Sequence, residues 1–212
     1  MSSCRWTAQG PSRDERGELS MGRLLHYVHD PMCSWCWAFR PVWQEIVRQL
    51  PPDVAARRLL GGLAPDSDEP MPAAMQAHLR GVWLTIQQRV PGTRFNFGFW
   101  ELCRPRRSTY PACRAVIAAR DQGEEFAEPM ILAVQQAYYL HARNPSDFQT
   151  LVELAGEIGV DQLRFREALD APRTHNRLLQ EIRQGQRMGA QGFPSLVLEL
   201  EGRYQLLSYD YL

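Results

Sequence analysis

The sequence predicts an α/β fold split by a helical insertion, and three observations carry that reading. Strand-like runs occur only near the two ends, at Leu24–Val28 and Val54–Leu60 and again at Ser195–Leu198 and Tyr204–Leu207. The stretch between them, from about residue 65 to 173, reads almost wholly as helix. A Cys-x-x-Cys pair, Cys33-Ser34-Trp35-Cys36, stands where the first strand gives way to the first helix.

Leu24–Val28 is short, apolar and bounded by Asp30-Pro31, as a buried strand would be. From Ser34 to Leu50 the residues Phe39, Trp43, Ile46, Val47 and Leu50 recur at helical spacing. Pro41 lies inside that helix and removes one backbone hydrogen bond, and Pro51-Pro52 ends it. Val54–Leu60 closes on Gly61-Gly62. Helices are then predicted at Pro72–Arg89, Tyr110–Gln122, Glu124–Ala142, Asp147–Ile158 and Asp161–Leu169. Asp147 and Asp161 serve as N-caps, with Gly123 and Gly159 as stops. The aromatic stretch from Pro91 to Thr109 fits no regular element, and its Phe95, Phe97, Phe99 and Trp100 read best as a core plug. A last helix, His175–Met188, leads through Gly192-Phe193-Pro194 into a strand, and Glu201-Gly202 turns it back as a hairpin.

Composition narrows the function. Hydrophobic residues at 44% and charged ones at 23% suit an ordinary globular chain. Basic and acidic side chains balance at 24 each, so nothing points to nucleic acid or an anionic membrane. No stretch reaches the roughly 18 apolar residues of a membrane helix. Residues 1–21 are charged and lack the apolar segment of an export signal, so they read as a disordered tail and the expected compartment is the cytoplasm. Five cysteines at irregular spacing do not form a disulfide framework.

The chemistry rests on two blocks. Cysteines three apart at a helix start can bring their sulfurs together, and the first sits over the positive end of the helix, which favours its thiolate. Cys33 then attacks a substrate disulfide and Cys36 resolves the mixed disulfide. Phe193-Pro194 comes much later, just before a strand; a cis bond there would leave the Phe193 backbone free to pair with an extended substrate. Trp35 lies between the cysteines and is a candidate substrate contact, and His29 is a candidate for tuning the thiolate. A zinc site would need two more suitably spaced ligands, and Cys103 and Cys113 are not so arranged. Cys113 reads as a small buried hydrophobe, and Cys103 and Cys4 have no visible partner.

Asp30-Pro31-Met32-Cys33-Ser34-Trp35-Cys36-Trp37-Ala38-Phe39, Ser108-Thr109-Tyr110-Pro111-Ala112-Cys113-Arg114-Ala115 and Gly192-Phe193-Pro194 together resemble the DsbA family, most closely its cytoplasmic FrnE-type branch. The resemblance covers roughly Met21 to Leu212. It implies a thioredoxin fold (22–64 and 174–212) with an inserted all-helical domain (65–173), a reactive Cys33, a resolving Cys36 and a cis Pro194 shaping the substrate groove. It also implies disulfide exchange with proteins and small thiols, no bound cofactor or metal, and glutathione or another thiol as redox partner. The exported members carry a signal peptide that this chain lacks, so oxidation of secreted proteins does not transfer. The family pattern also continues into a further helix where this chain reaches Tyr209–Leu212, an expectation of a barer sheet face with room for a dimer. Two alternatives stay open: a glutathione-dependent isomerase or transferase of the 2-hydroxychromene-2-carboxylate isomerase type, and a non-enzymatic redox sensor. The intact cysteine pair argues against the first.

Overall fold

The structure, a computed structural model, describes residues 23–211. The expected N-terminal tail, with Cys4, lies outside the described residues. Four strands form one mixed sheet in the order β2-β1-β3-β4. They are β1 (Arg23–His29), β2 (Val54–Leu60), β3 (Ser195–Leu200) and β4 (Arg203–Leu207). β1 pairs in parallel with β2, from Arg23↔Val54 to His29↔Leu60, and antiparallel with β3, from Leu24↔Glu199 to Val28↔Ser195. The central strand is therefore flanked by one neighbour close in sequence and one from beyond the helical region. Glu201 and Gly202, at φ 50° and 74°, make the β3–β4 turn, whose backbone twist suits a two-residue hairpin.

Helix α1 (Ser34–Gln49) crosses from β1 to β2 and runs on through Pro41. Strand alternation sends Leu25 and Tyr27 to one face, where they meet Phe39 and Trp43 of α1 together with Leu196. Val28 and Leu59 face the other way, into a cluster with Met188, Ala190 and Val197 at the end of α8 (Pro172–Arg187). The largest core belongs to the helices between β2 and α8: α2 (Ala73–Arg89), α3 (Phe99–Leu102), α4 (Tyr110–Arg120), α5 (Ala127–Tyr139), α6 (Phe148–Glu157) and α7 (Gln162–Leu169). That core also takes in Met32, Leu60, Leu178 and Ile182, so it is continuous with the edge of the sheet layer.

The stretch without a predicted element resolves into one helical turn, α3, and a plug around Trp83. Rings of Phe95, Phe97, Phe99 and Trp100 lie 4.8, 5.6, 6.2 and 4.9 Å from that indole. Three expectations need correction. Glu124–Ala142 is not one helix: Glu124–Phe126 is a 3-10 turn and α5 begins at Ala127, because Pro129 fits only the first turn, where an amide donor is not needed. Asp147 precedes α6 but makes no capping bond; its carboxylate accepts from Arg106 at 2.6 Å instead. Gly123 is in extended backbone and α4 already ends at Arg120. Asp161 does cap α7, accepting from the Leu163 and Arg164 amides at 2.9 and 3.0 Å, and Gly159, at φ 84°, follows α6.

Candidate active site

The turn that delivers the cysteines is built by Asp30. Its backbone carbonyl accepts from Cys33 N at 3.0 Å, and its Oδ1 accepts from Met32 N at 2.8 Å. These bonds close the Asp30–Cys33 turn and set Cys33 as the N-cap of α1. No acidic residue occupies the first turn of α1 itself; the Asp30 carboxylate lies in the turn just before it. Ser34 Oγ accepts from Trp83 Nε1 at 3.0 Å, which ties the start of α1 to the aromatic plug.

The facing wall comes from the segment before β3. The Phe193–Pro194 peptide is cis, and Phe193 O lies 3.5 Å from Cys33 Sγ. The Phe193 ring lies over Gly61, where an added Cβ would come within 2.0 Å of it. Tyr209 donates its hydroxyl to Pro194 O at 2.6 Å, and Ser195 donates to Gly192 O at 2.7 Å. The segment is thus held from both sides.

All four described cysteines are free thiols. Cys33 is 6% exposed and Cys36 fully buried. Burial, then the hydrogen bond and charge of Cys33 and the charge of Asp30, push the Cys36 thiol well up. The Asp30 carboxylate is itself fully enclosed. Its Oδ2 accepts from Leu63 N at 2.7 Å, Thr109 Oγ1 at 2.7 Å and the Cys113 thiol at 3.5 Å. Burial raises its pKa against those donors, which lower it. Burial likewise pushes the Cys113 thiol well up, with the Asp30 charge adding to it.

Each residue singled out from the sequence has a definite place. Cys33, Cys36, Phe193 and Pro194 come together at the start of α1. Trp35 is half-buried, its ring 5.1 Å from that of Tyr211. His29 is buried at the end of β1 and stacks on Tyr27 at 4.8 Å. Burial, then the charges of Arg58 and Arg40, lower its pKa well below the ordinary histidine range. Sequence reasoning missed the hydrogen-bonded set of Asp30, Thr109 and Cys113. Its signals were present, in Asp30-Pro31 ahead of the pair and the Ser108–Ala115 block, but neither revealed that they meet.

The model of the DsbA-like thioredoxin domain matches residues 25–208. The chain belongs to this family. No curated protein matches it by sequence. Among solved structures, a protein of Nitrosomonas europaea provisionally described as a protein disulfide isomerase is 27% identical with a TM-score of 0.77 over 88% of this chain and 89% of its own. The cytosolic disulfide reductase DsbM of Pseudomonas aeruginosa is 28% identical, with a TM-score of 0.71 over 87% and 89%. Its structure with GSH is similar at 27% identity and a TM-score of 0.68 over the same shares. Like its DsbA-like relatives, this chain is a thiol–disulfide oxidoreductase of thioredoxin fold. No helix among the described residues is long and apolar enough to cross a membrane.

Proposed function

We propose that the protein exchanges disulfides with proteins and small thiols through Cys33 and Cys36, in the cytoplasm, with glutathione as its redox partner and no bound cofactor. The observation that carries this is the placement of Cys33 Sγ at the N-terminus of α1, 3.5 Å from Phe193 O, with Cys36 buried behind it. The positive helix end favours negative charge on the Cys33 sulfur. The Cys33 thiolate attacks one sulfur of a substrate disulfide; that S–S bond breaks, and the departing thiolate takes a proton. Cys36 then gives up its proton and attacks the Cys33 sulfur, releasing the second substrate thiol and leaving a Cys33–Cys36 disulfide. Two glutathione thiols return the pair to the reduced state and leave as glutathione disulfide. Phe193, Pro194 and Trp35 line the substrate groove, with the Phe193 backbone offering a strand-like edge to a peptide. The similarity to a reductase named as cytosolic, whose structure is also known with GSH, supports the compartment and the donor.

The test is trapping. Cys36→Ser should accumulate covalent adducts on Cys33, glutathione among them, because the mixed disulfide loses a resolving thiol held at high effective concentration. Cys33→Ser should trap none. Intact mass after acid quenching and non-reducing gels read both. Adducts on Cys36 in the Cys33→Ser protein would reverse the assignment. Failure of both variants to trap, with no reduction of a model disulfide by wild type, would bring the isomerase and sensor readings forward.

A further inference from the structure

The rim beside Trp35 and Trp37 is cationic, and disulfide exchange as described makes no use of that charge. Arg89, the last residue of α2, places its guanidinium 5.8 Å from the centroid of the Trp35 ring. Arg94 offers its carbonyl to Trp37 Nε1 at 3.1 Å, so its side chain departs from backbone fixed beside that second indole. Phe95 and Trp35 pack into one cluster with Ala38, Ile86 and Val90, which holds this segment against the face of α1. Both arginines are exposed. Neither has a carboxylate at ion-pair distance among the described residues. Tyr211, whose ring lies 5.1 Å from that of Trp35, donates its amide to Asp210 Oδ1 at 2.7 Å, so Asp210 brings a carboxylate to the same stretch of chain. Arg89 and the segment carrying Arg94 bring positive charge to this rim, and the N-terminus of α1 adds to it.

Every basic side chain in this sequence is arginine; the 24 include no lysine. A guanidinium presents a planar fork that fits a carboxylate with two parallel hydrogen bonds, and it is weakly hydrated when laid on an aromatic face. We propose that Arg89 and Arg94 are specificity residues that select anionic disulfides, by holding carboxylates of the substrate while Cys33 attacks. The matching small molecule is glutathione disulfide, each half of which carries two free carboxylates. This rests on the exchange reading above and adds the basis of selection. The step is balanced. Run as the reverse of the regeneration described above, the two thiols of Cys33 and Cys36 reduce one glutathione disulfide, become one disulfide themselves, and pass their two protons to the two glutathiones released.

The experiment oxidises the reduced protein with three disulfides at low salt: glutathione disulfide, neutral hydroxyethyl disulfide and cationic cystamine. It compares kcat/KM for wild type, Arg89→Gln, Arg94→Gln and the double variant. Wild type should prefer glutathione disulfide to cystamine. Each single change should lower the ratio of glutathione disulfide to hydroxyethyl disulfide by about two- to fivefold, the range for exposed ion pairs. The double variant should lower it by about tenfold, and salt should shrink the wild-type preference. Arg203→Gln, on the edge strand β4, should keep the ratio. Equal falls for all three substrates, or an unchanged ratio in the double variant, would overturn the assignment while leaving the exchange reading intact. Wild-type protein that none of the three oxidises would overturn both.

Discussion

Asp30 keeps a carboxylate where water does not reach it, and four donors stand in for the water: the Met32 and Leu63 amides, the Thr109 hydroxyl and the Cys113 thiol. Burial outweighs them and the pKa is raised. The folded state therefore binds this proton more tightly than the unfolded chain, whose value is about 3.9. Asp30's share of stability is largest at low pH and is lost as pH rises from that value through the folded pKa. Asp30→Asn should remove this slope and turn an amide NH2 toward donors, costing about 1–3 kcal/mol. Urea unfolding of both proteins from about pH 4 to 7 should show the variant's deficit widening toward acid; a constant gap would contradict the raised pKa. The same variant should bring Cys36 attack to lower pH, in part only, because burial and Cys33 still hold that thiol up. The cysteine pair itself was readable in the sequence because its spacing is local. Asp30's role was not, since Leu63, Thr109 and Cys113 lie 33, 79 and 83 residues away from it.

Between elements, the contact that would shape the proposed groove is the Phe193 ring against the end of β2. Gly61 follows β2, donates its amide to His29 O at 2.7 Å, and leaves the ring room to lie flat on the backbone. Gly61→Ala should drive the ring out of its cluster with Val28, Leu59, Met188, Ala190 and Val197. Overpacking of this kind costs about 1–3 kcal/mol. Thermal melts should show the loss, and turnover with a peptide disulfide should fall because Phe193 O moves relative to Cys33. Adding Phe193→Leu should recover part of the stability, a coupling expected only of residues in contact; additive losses would argue that they do not touch. Element type was legible wherever one period ran uninterrupted, as in α1 and β1. Capping was less legible where a tertiary partner intervened: α6 forms as expected, but Arg106 draws the Asp147 carboxylate away from its capping bond. The plug around Trp83 was foreseeable as apolar, but its shape depends on Tyr138 and Tyr139, whose rings both lie 5.6 Å from that indole.

Over the whole molecule, the division of labour follows from the sheet order. β1 is central, yet one of its two neighbours comes from the far side of the helical region. The helices between β2 and α8 bury their own core of Trp83, Ile117, Met130, Tyr139, Leu151 and Phe165 with shorter-range contacts. Local contacts form before those that must close long loops. In pulsed hydrogen exchange during refolding, amides of α4 and α5 should gain protection before those of β1 and β3. Earlier protection of the β1–β3 ladder would show that the sheet organises the helices instead.

The same topology matters on the ribosome. Cys33 and the Phe193 carbonyl beside it are 160 residues apart in the chain. At about 5–20 residues per second, translation separates their emergence by roughly 8–30 s. Throughout that interval the growing polypeptide displays Cys33, the proposed nucleophile, with neither the Phe193–Pro194 segment that comes to face it nor the strand that completes its sheet. Any cap acquired then, by a cellular oxidant or a passing low-molecular-weight thiol, arrives before the finished protein can discriminate among partners.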